Sequence, residues 1–313
     1  MQWYKRVTGD SQVKPSQSGQ AAPDSKPVAD PVGWDRDASR RRIYVKVDME
    51  GISGIVSPDQ LRPGSPEHEE ARRLLMHDLN AVLEGAFAGG CREAIIHDVH
   101  EAGRNIHLDS LDPRASVISG KPLPKEGFFY GLDDTFHALF LVGYHARAGA
   151  QDALMPHTYD EDIAAIRVNE TEVGEIGLEA ALAGKFGVPL AFVSADSGGV
   201  REARELLGKD IEAVEVKRAL SPTSGICLPA SRTAEMLREA AARAMRNAPR
   251  VPPVVFQSPT TFEVTFTKPE SALALEQMPG IERTGQNTIC TQGPSILAAY
   301  RTFVLARQHN GTS

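Results

Sequence analysis

Apolar and polar positions along this chain follow two alternating periods. Residues 43–48, IYVKVD, form a β-branched and aromatic run with a polar end, as in a strand buried within a parallel sheet. Ser65-Pro66 then opens a helix. Ser offers an N-cap oxygen, Pro suits the first turn, and Glu67, Glu69 and Glu70 lie at the positive end of the dipole. Leu74, Leu75, Leu79, Val82, Leu83 and Phe87 recur at helical spacing until Gly89-Gly90 stop the helix. The same texture predicts strands over 94–98, 115–119, 137–143, 163–169 and 189–196. Helices are predicted from Gly174 to about Phe186, over 199–208 and over 229–247. Strands alternating with helices predict an α/β fold, a mainly parallel sheet flanked by helices. After the linker APRVPP, the runs VVFQ, FEVTFT and NTICT read as short strands and 294–307 as a closing helix, which predicts a smaller C-terminal α+β subdomain. Residues 8–38 are rich in Ser, Gln, Pro, Asp and Lys and lack the apolar side chains that would offset their ordering entropy. The expected organisation is a disordered extension over 1–40, an α/β metal-binding domain over 41–250 and the subdomain over 251–313.

Composition narrows the function classes. The 313 residues carry a formal net charge of −7, and the first 42 hold eight basic against five acidic residues, so the body after them is the more acidic part. An acidic body is a poor electrostatic partner for nucleic acid. No run approaches the roughly 20 apolar residues of a membrane span, and the N-terminus has no apolar core of a signal peptide. Cys91, Cys227 and Cys290 are far apart with no CxxC pair, which excludes a disulfide framework or thiolate zinc site and fits a reducing cytoplasm.

Acidic residues and histidines fall where the predicted strands end. In open α/β sheets ligands bind beyond the carboxyl ends of the strands. Asp48 and Glu50 end the first strand two apart, so an extended backbone turns both carboxylates to one side. Asp98 and His100 repeat that spacing, His145 follows HALFLVGY, and Glu175 opens the helix after Gly174. Five ligands of mixed oxygen and nitrogen type exceed the needs of one tetrahedral zinc. They suit two adjacent divalent cations (zinc, manganese or cobalt) bridged by one carboxylate. Each residue alone serves as well as a cap or surface group, and spacing alone leaves both readings open. SADSGG (194–199) echoes a serine-protease nucleophile but reads as a strand-to-helix turn, and no Walker loop or GxGxxG after the first strand supports nucleotide chemistry.

The wording of the segments goes further. VDMEGISG (47–54), HDVH (97–100), GYHARAG (143–149), MPH (155–157) and VGEIGL (173–178) occur in this order. Together they resemble the zinc-dependent D-aminopeptidase family of bacterial dipeptide-transport operons, from about Ile43 to Ala306. SGK (119–121), GLDDTF (131–136) and MPG (278–280) are also in register. The resemblance implies two zinc ions, with Asp48 bridging them and Glu50, His100, His145 and Glu175 as further ligands. It implies His157 as the catalytic histidine, a short peptide as substrate, and a homo-oligomer, a ring-shaped decamer with active sites facing an inner chamber. Asp98 reads as a partner orienting His100 or a neighbouring amide. The chain departs from the family in its N-terminal extension, in one additional residue between His145 and His157, and in His97 before Asp98. The expected function is removal of the N-terminal residue of short peptides, with preference for D-amino acids. The rivals are another dinuclear hydrolase, an amidase or phosphoesterase, and a non-catalytic peptide- or metal-binding protein linked to peptide transport. A phosphoesterase needs a basic clamp, and only Arg147 and Lys121 lie near the expected rim.

Overall fold

The structure is a computed structural model and describes residues 41–121 and 130–309; the N-terminal extension expected over 1–40 lies outside the described residues. The main sheet contains β1 (Arg42–Val47), β2 (Ala94–Asp98), β3 (Ala115–Ile118), β4 (Phe136–Tyr144), β7 (Leu190–Asp196), β8 (Glu212–Ser221) and β9 (Ser224–Cys227). Their order is β3-β2-β1-β4-β7-β8-β9, parallel throughout except for the β8–β9 hairpin. A second, antiparallel sheet has the order β11-β12-β10-β5-β6, from β5 (Ile163–Val168), β6 (Thr171–Val173), β10 (Thr260–Phe266), β11 (Glu282–Arg283) and β12 (Thr288–Gly293). The helices are α1 (Pro66–Ala88), α2 (Glu175–Gly184), α3 (Ser197–Leu207), α4 (Ala230–Asn247), α5 (Pro269–Leu275) and α6 (Ile296–His309).

Side-chain parity on the central strands sorts the core into two layers. Ile43, Val45 and Val47 of β1, with Ala138, Phe140 and Val142 of β4, pack with α1 and α4 on one face. Tyr44 of β1, with Leu139 and Leu141 of β4, packs with α2, the second sheet and α6 on the other. Because successive strand side chains alternate, Lys46 and Asp48 share the Tyr44 face and look towards α2. The α1 start follows its sequence signal: Ser65 Oγ accepts from the His68 amide at 3.0 Å. Asp196 caps α3 the same way, accepting from the Gly199 amide at 3.0 Å, so SADSGG is a strand-to-helix turn.

Two expectations differ from the structure. VVFQ (254–257) is not a strand. Val254 and Phe256 are buried, but the segment lies against the C-terminal end of α2, where a Cβ on Gly184 would stand 1.9 Å from the Val254 carbonyl oxygen. Pro252 and Pro253 before it have no N–H to enter a ladder. The smaller sheet is also not confined to 251–313. It takes β5 and β6 from inside the 41–250 span, because the alternating apolar face of 163–168 pairs with β10. No helix of the described residues is long and apolar enough to cross a membrane.

Candidate metal centre

Strand order explains the site. β1 lies between β2 and β4, so the residue leaving its carboxyl end is flanked by the residues leaving theirs. Asp48 accordingly sits between His100 and His145. Its Oδ1 is 3.0 Å from His100 Nδ1 and its Oδ2 is 3.4 Å from His145 Nε2. Glu50 Oε2 lies 3.2 Å from His100 Nδ1. From the face opposite, α2 brings Glu175 Oε1 to 3.4 Å from His145 Nε2. All five of these side chains are buried. Two overlapping sets, Asp48 with Glu50 and His145, and His145 with His157 and Glu175, each gather one ligand atom per residue within 4.8 Å. The expected residues are thus together, and His157 is closer to them than its expected role outside the ligand set required.

Backbone geometry makes this approach possible at two glycines. Gly143 has φ +74°, and a Cβ there would stand 2.3 Å from the Asp48 carbonyl oxygen. Gly51 donates its amide to the Gly143 carbonyl at 2.7 Å, and a Cβ on it would lie 1.8 Å from the Tyr144 carbonyl oxygen. Only glycine tolerates either position without moving a chain that carries a site residue.

Hydrogen bonds assign the imidazole protons. His145 Nδ1 faces the Ala146 carbonyl at 3.0 Å and His157 Nδ1 faces the Met155 carbonyl at 2.9 Å. A carbonyl oxygen only accepts, so both Nδ1 atoms carry hydrogen and the Nε2 atoms are left for chemistry. Glu50 Oε2, His100 Nε2 and His145 Nε2 are buried with no hydrogen-bond partner. Buried polar atoms without partners are costly, and Glu50 Oε2 and His145 Nε2, gathered with the Asp48 and Glu175 carboxylates, fit a cationic guest. The charges agree. Burial disfavours ionisation of Asp48, but His100 and His145 outweigh it and hold the carboxyl well below the usual carboxylate range. Burial also opposes charge on His145 and His100, yet Glu175 with Asp48, and Glu50 with Asp48, raise both imidazoles well above their ordinary value. Protons on His100 and His145 thus supply positive charge beside the carboxylates.

Around these residues lies a supporting shell. Asp98 accepts from the Asn105 amide at 2.5 Å and from Asn105 Nδ2 at 2.9 Å, and Asn105 Nδ2 also donates to the His100 carbonyl at 2.9 Å. Asp98 therefore acts on His100 through a neighbouring amide. Three features escaped the sequence reading. Lys46 Nζ donates to Glu179 Oε1 at 2.5 Å, and both are buried, one turn along α2 from Glu175. Glu202 of α3 accepts from the Arg147 amide at 2.7 Å, and burial pushes its carboxyl up to about 7. Lys217 of β8 reaches the carbonyls of the Glu50 loop. The available signals were a lysine inside the buried run IYVKV and a glutamate inside the apolar helix EIGLEAALAG.

Comparison with known proteins agrees with this geometry. The D-aminopeptidase family model matches residues 41–305. A D-aminopeptidase of Bacillus subtilis (strain 168) is 32% identical over 265 residues, covering 84% of this chain and 96% of the relative. The solved structure of DppA from Bacillus subtilis, a Zn-dependent D-aminopeptidase and self-compartmentalizing protease, superposes with a TM-score of 0.82 at 30% identity, covering 87% of this chain and 98% of that one. A family match across nearly all of the described residues, on a chain whose strand ends assemble an acid–histidine cluster, shows that this protein belongs to the D-aminopeptidase family.

Proposed function

We propose that the protein is a dinuclear metal-dependent aminopeptidase that releases the N-terminal residue of short peptides, with preference for D-amino acids. The observation that carries this reading is the Asp48 carboxylate held between His100 Nδ1 and His145 Nε2 of the flanking strands, with Glu50 Oε2 and His145 Nε2 buried and lacking a hydrogen-bond partner. Asp48, Glu50, His100, His145 and Glu175 would hold the metal ions, Asp48 being the residue placed to be shared between them. The donor set, carboxylate oxygen and imidazole nitrogen, suits zinc and also accepts manganese or cobalt. When bound, a pair of divalent cations lowers the pKa of a water and polarises a scissile carbonyl.

The chain's own groups do the rest. His157 holds its Nδ1 proton against the Met155 carbonyl, which leaves Nε2 to accept a proton from the attacking water and pass it on to the leaving amine. The Tyr159 amide donates to Glu175 Oε1 at 2.7 Å, which ties the loop carrying His157 to the carboxylate side of the site.

Following the self-compartmentalizing relative, we also propose a cytoplasmic homo-oligomer, a ring-shaped decamer, to be read by light scattering. We further propose that residues 1–40, which precede the family match, are dispensable for turnover. A stereochemically paired panel of D- and L-aminoacyl amides on metal-quantified protein tests the reading. Chelator-sensitive turnover of the D-series is expected. Equal turnover of both series removes the stereochemical assignment, and tightly held metal without turnover makes the protein a binder.

A further inference from the structure

We propose that Lys217 is a positioning residue for the metal centre, an internal cation that holds residues 50–55 in the turn that aims Glu50 at the site. The inference rests on the two-metal reading above.

Lys217 lies on β8, far in sequence from the loop it touches, and is 1% exposed. Its Nζ donates to the carbonyls of Glu50 at 2.5 Å, Ile52 at 2.7 Å and Ile55. An ammonium has three hydrogens, and all three are spent on one loop. Three carbonyl oxygens converging in a dry interior repel one another and forfeit their hydration, so the turn needs a cation at its focus. The loop has a second anchor of opposite sign: the Ser53 amide donates to Asp78 Oδ2 of α1 at 2.9 Å. Lysine thus takes the carbonyls and aspartate the amide, from two separate elements, on either side of the segment that carries Glu50.

The loop's own hydrogen bonds are few. The Ile52 amide reaches the Met49 carbonyl at 3.1 Å and the Ile55 amide reaches the Ile52 carbonyl at 3.2 Å. Those bonds close turns but do not fix where the turns sit relative to β2 and His100. Lys217 does, together with the Gly51 amide on the Gly143 carbonyl of β4, because β8 is held in the main sheet through β7. Groups that orient metal ligands without touching the metal typically change metal affinity 10–100-fold when removed. An ordinary core lysine would instead change only global stability.

Lys217→Met keeps the length and the apolar stem but removes all three donors; Lys217→Gln keeps one amide group. Zinc titration against a chromophoric chelator, paired with thermal unfolding, separates the roles. We expect both variants to fold, with affinity for the more weakly held ion down roughly 10–100-fold in Lys217→Met and by less in Lys217→Gln. Wild-type affinity in a folded Lys217→Met overturns the proposal. Failure of both variants to fold also overturns it, because Lys217 is then a determinant of the whole fold. Wild-type protein that takes up fewer than two equivalents refutes the two-metal reading, and the ratio of variant to wild-type affinity for the bound ion still decides Lys217.

Discussion

The ring of His157 lies flat on that of His145, with centroids 3.9 Å apart and planes 9° from parallel. Stacking fixes the position of His157 although its loop contains Asp152, Met155 and Tyr159 at positive φ, a conformation that side chains disfavour. A histidine held this firmly beside the acid–histidine cluster is suited to proton transfer. His157→Ala is therefore expected to keep the metal content while lowering kcat by about 10²–10⁴. Steady-state kinetics on metal-quantified protein checks this. Unchanged kcat removes His157 from the mechanism, and loss of an ion makes it a ligand.

Among the described residues, Asp48 is the one carboxylate in contact with both histidine-bearing strand ends. Asp48→Ala is expected to lose both metal equivalents together, as read by plasma emission spectrometry after gel filtration. One retained equivalent would place the shared role elsewhere.

The buried pair Lys46–Glu179 supports a double-mutant cycle. Removing one partner leaves an uncompensated buried charge, so Lys46→Met alone should cost about 3–5 kcal/mol of unfolding free energy. Lys46→Met with Glu179→Leu should recover most of that loss, because two apolar side chains replace two desolvated charges. Denaturant unfolding of the metal-free protein reads both. Additive losses would show that the two side chains act independently.

Glu202 gives a pH signature. Burial raises its folded carboxyl from 4.5 to about 7, while Arg147, His145 and Glu175 also act on it. The folded state therefore holds a proton that the unfolded state releases, and stability falls as pH rises from the unfolded to the folded value. Glu202→Gln keeps an oxygen for the Arg147 amide and has no charge to bury. Its stability relative to wild type should be lowest near pH 4.5 and climb by on the order of 2–3 kcal/mol by pH 7, then level off. A difference that does not vary with pH would contradict the assignment.

Much of the fold was legible because its signals are local. AIIHD is β2 to the residue, and Ser65 and Gly89 bound α1 as their chemistry predicts. The acid–histidine cluster was legible for a related reason: in a parallel sheet, polar residues directly after apolar strands converge at one edge, whatever the distance between them in sequence. What stayed hidden depends on pairing across the chain. Nothing in 163–173 announces its antiparallel partner at 260–266, so the second sheet was read as C-terminal. The β8–β9 hairpin was missed because its outer face is polar and its apolar positions are few. Lys217 shares that hairpin, and a lysine in an amphipathic strand is ordinarily a solvent-facing residue. Only the fold turns it inward to the Glu50 loop.

Anomalous diffraction from zinc-soaked crystals of the wild-type protein tests the centre most directly. The account predicts two peaks per chain, both within coordination reach of Asp48, one beside Glu50 and His100 and the other beside His145 and Glu175. A single peak, or two that do not share Asp48, would contradict it.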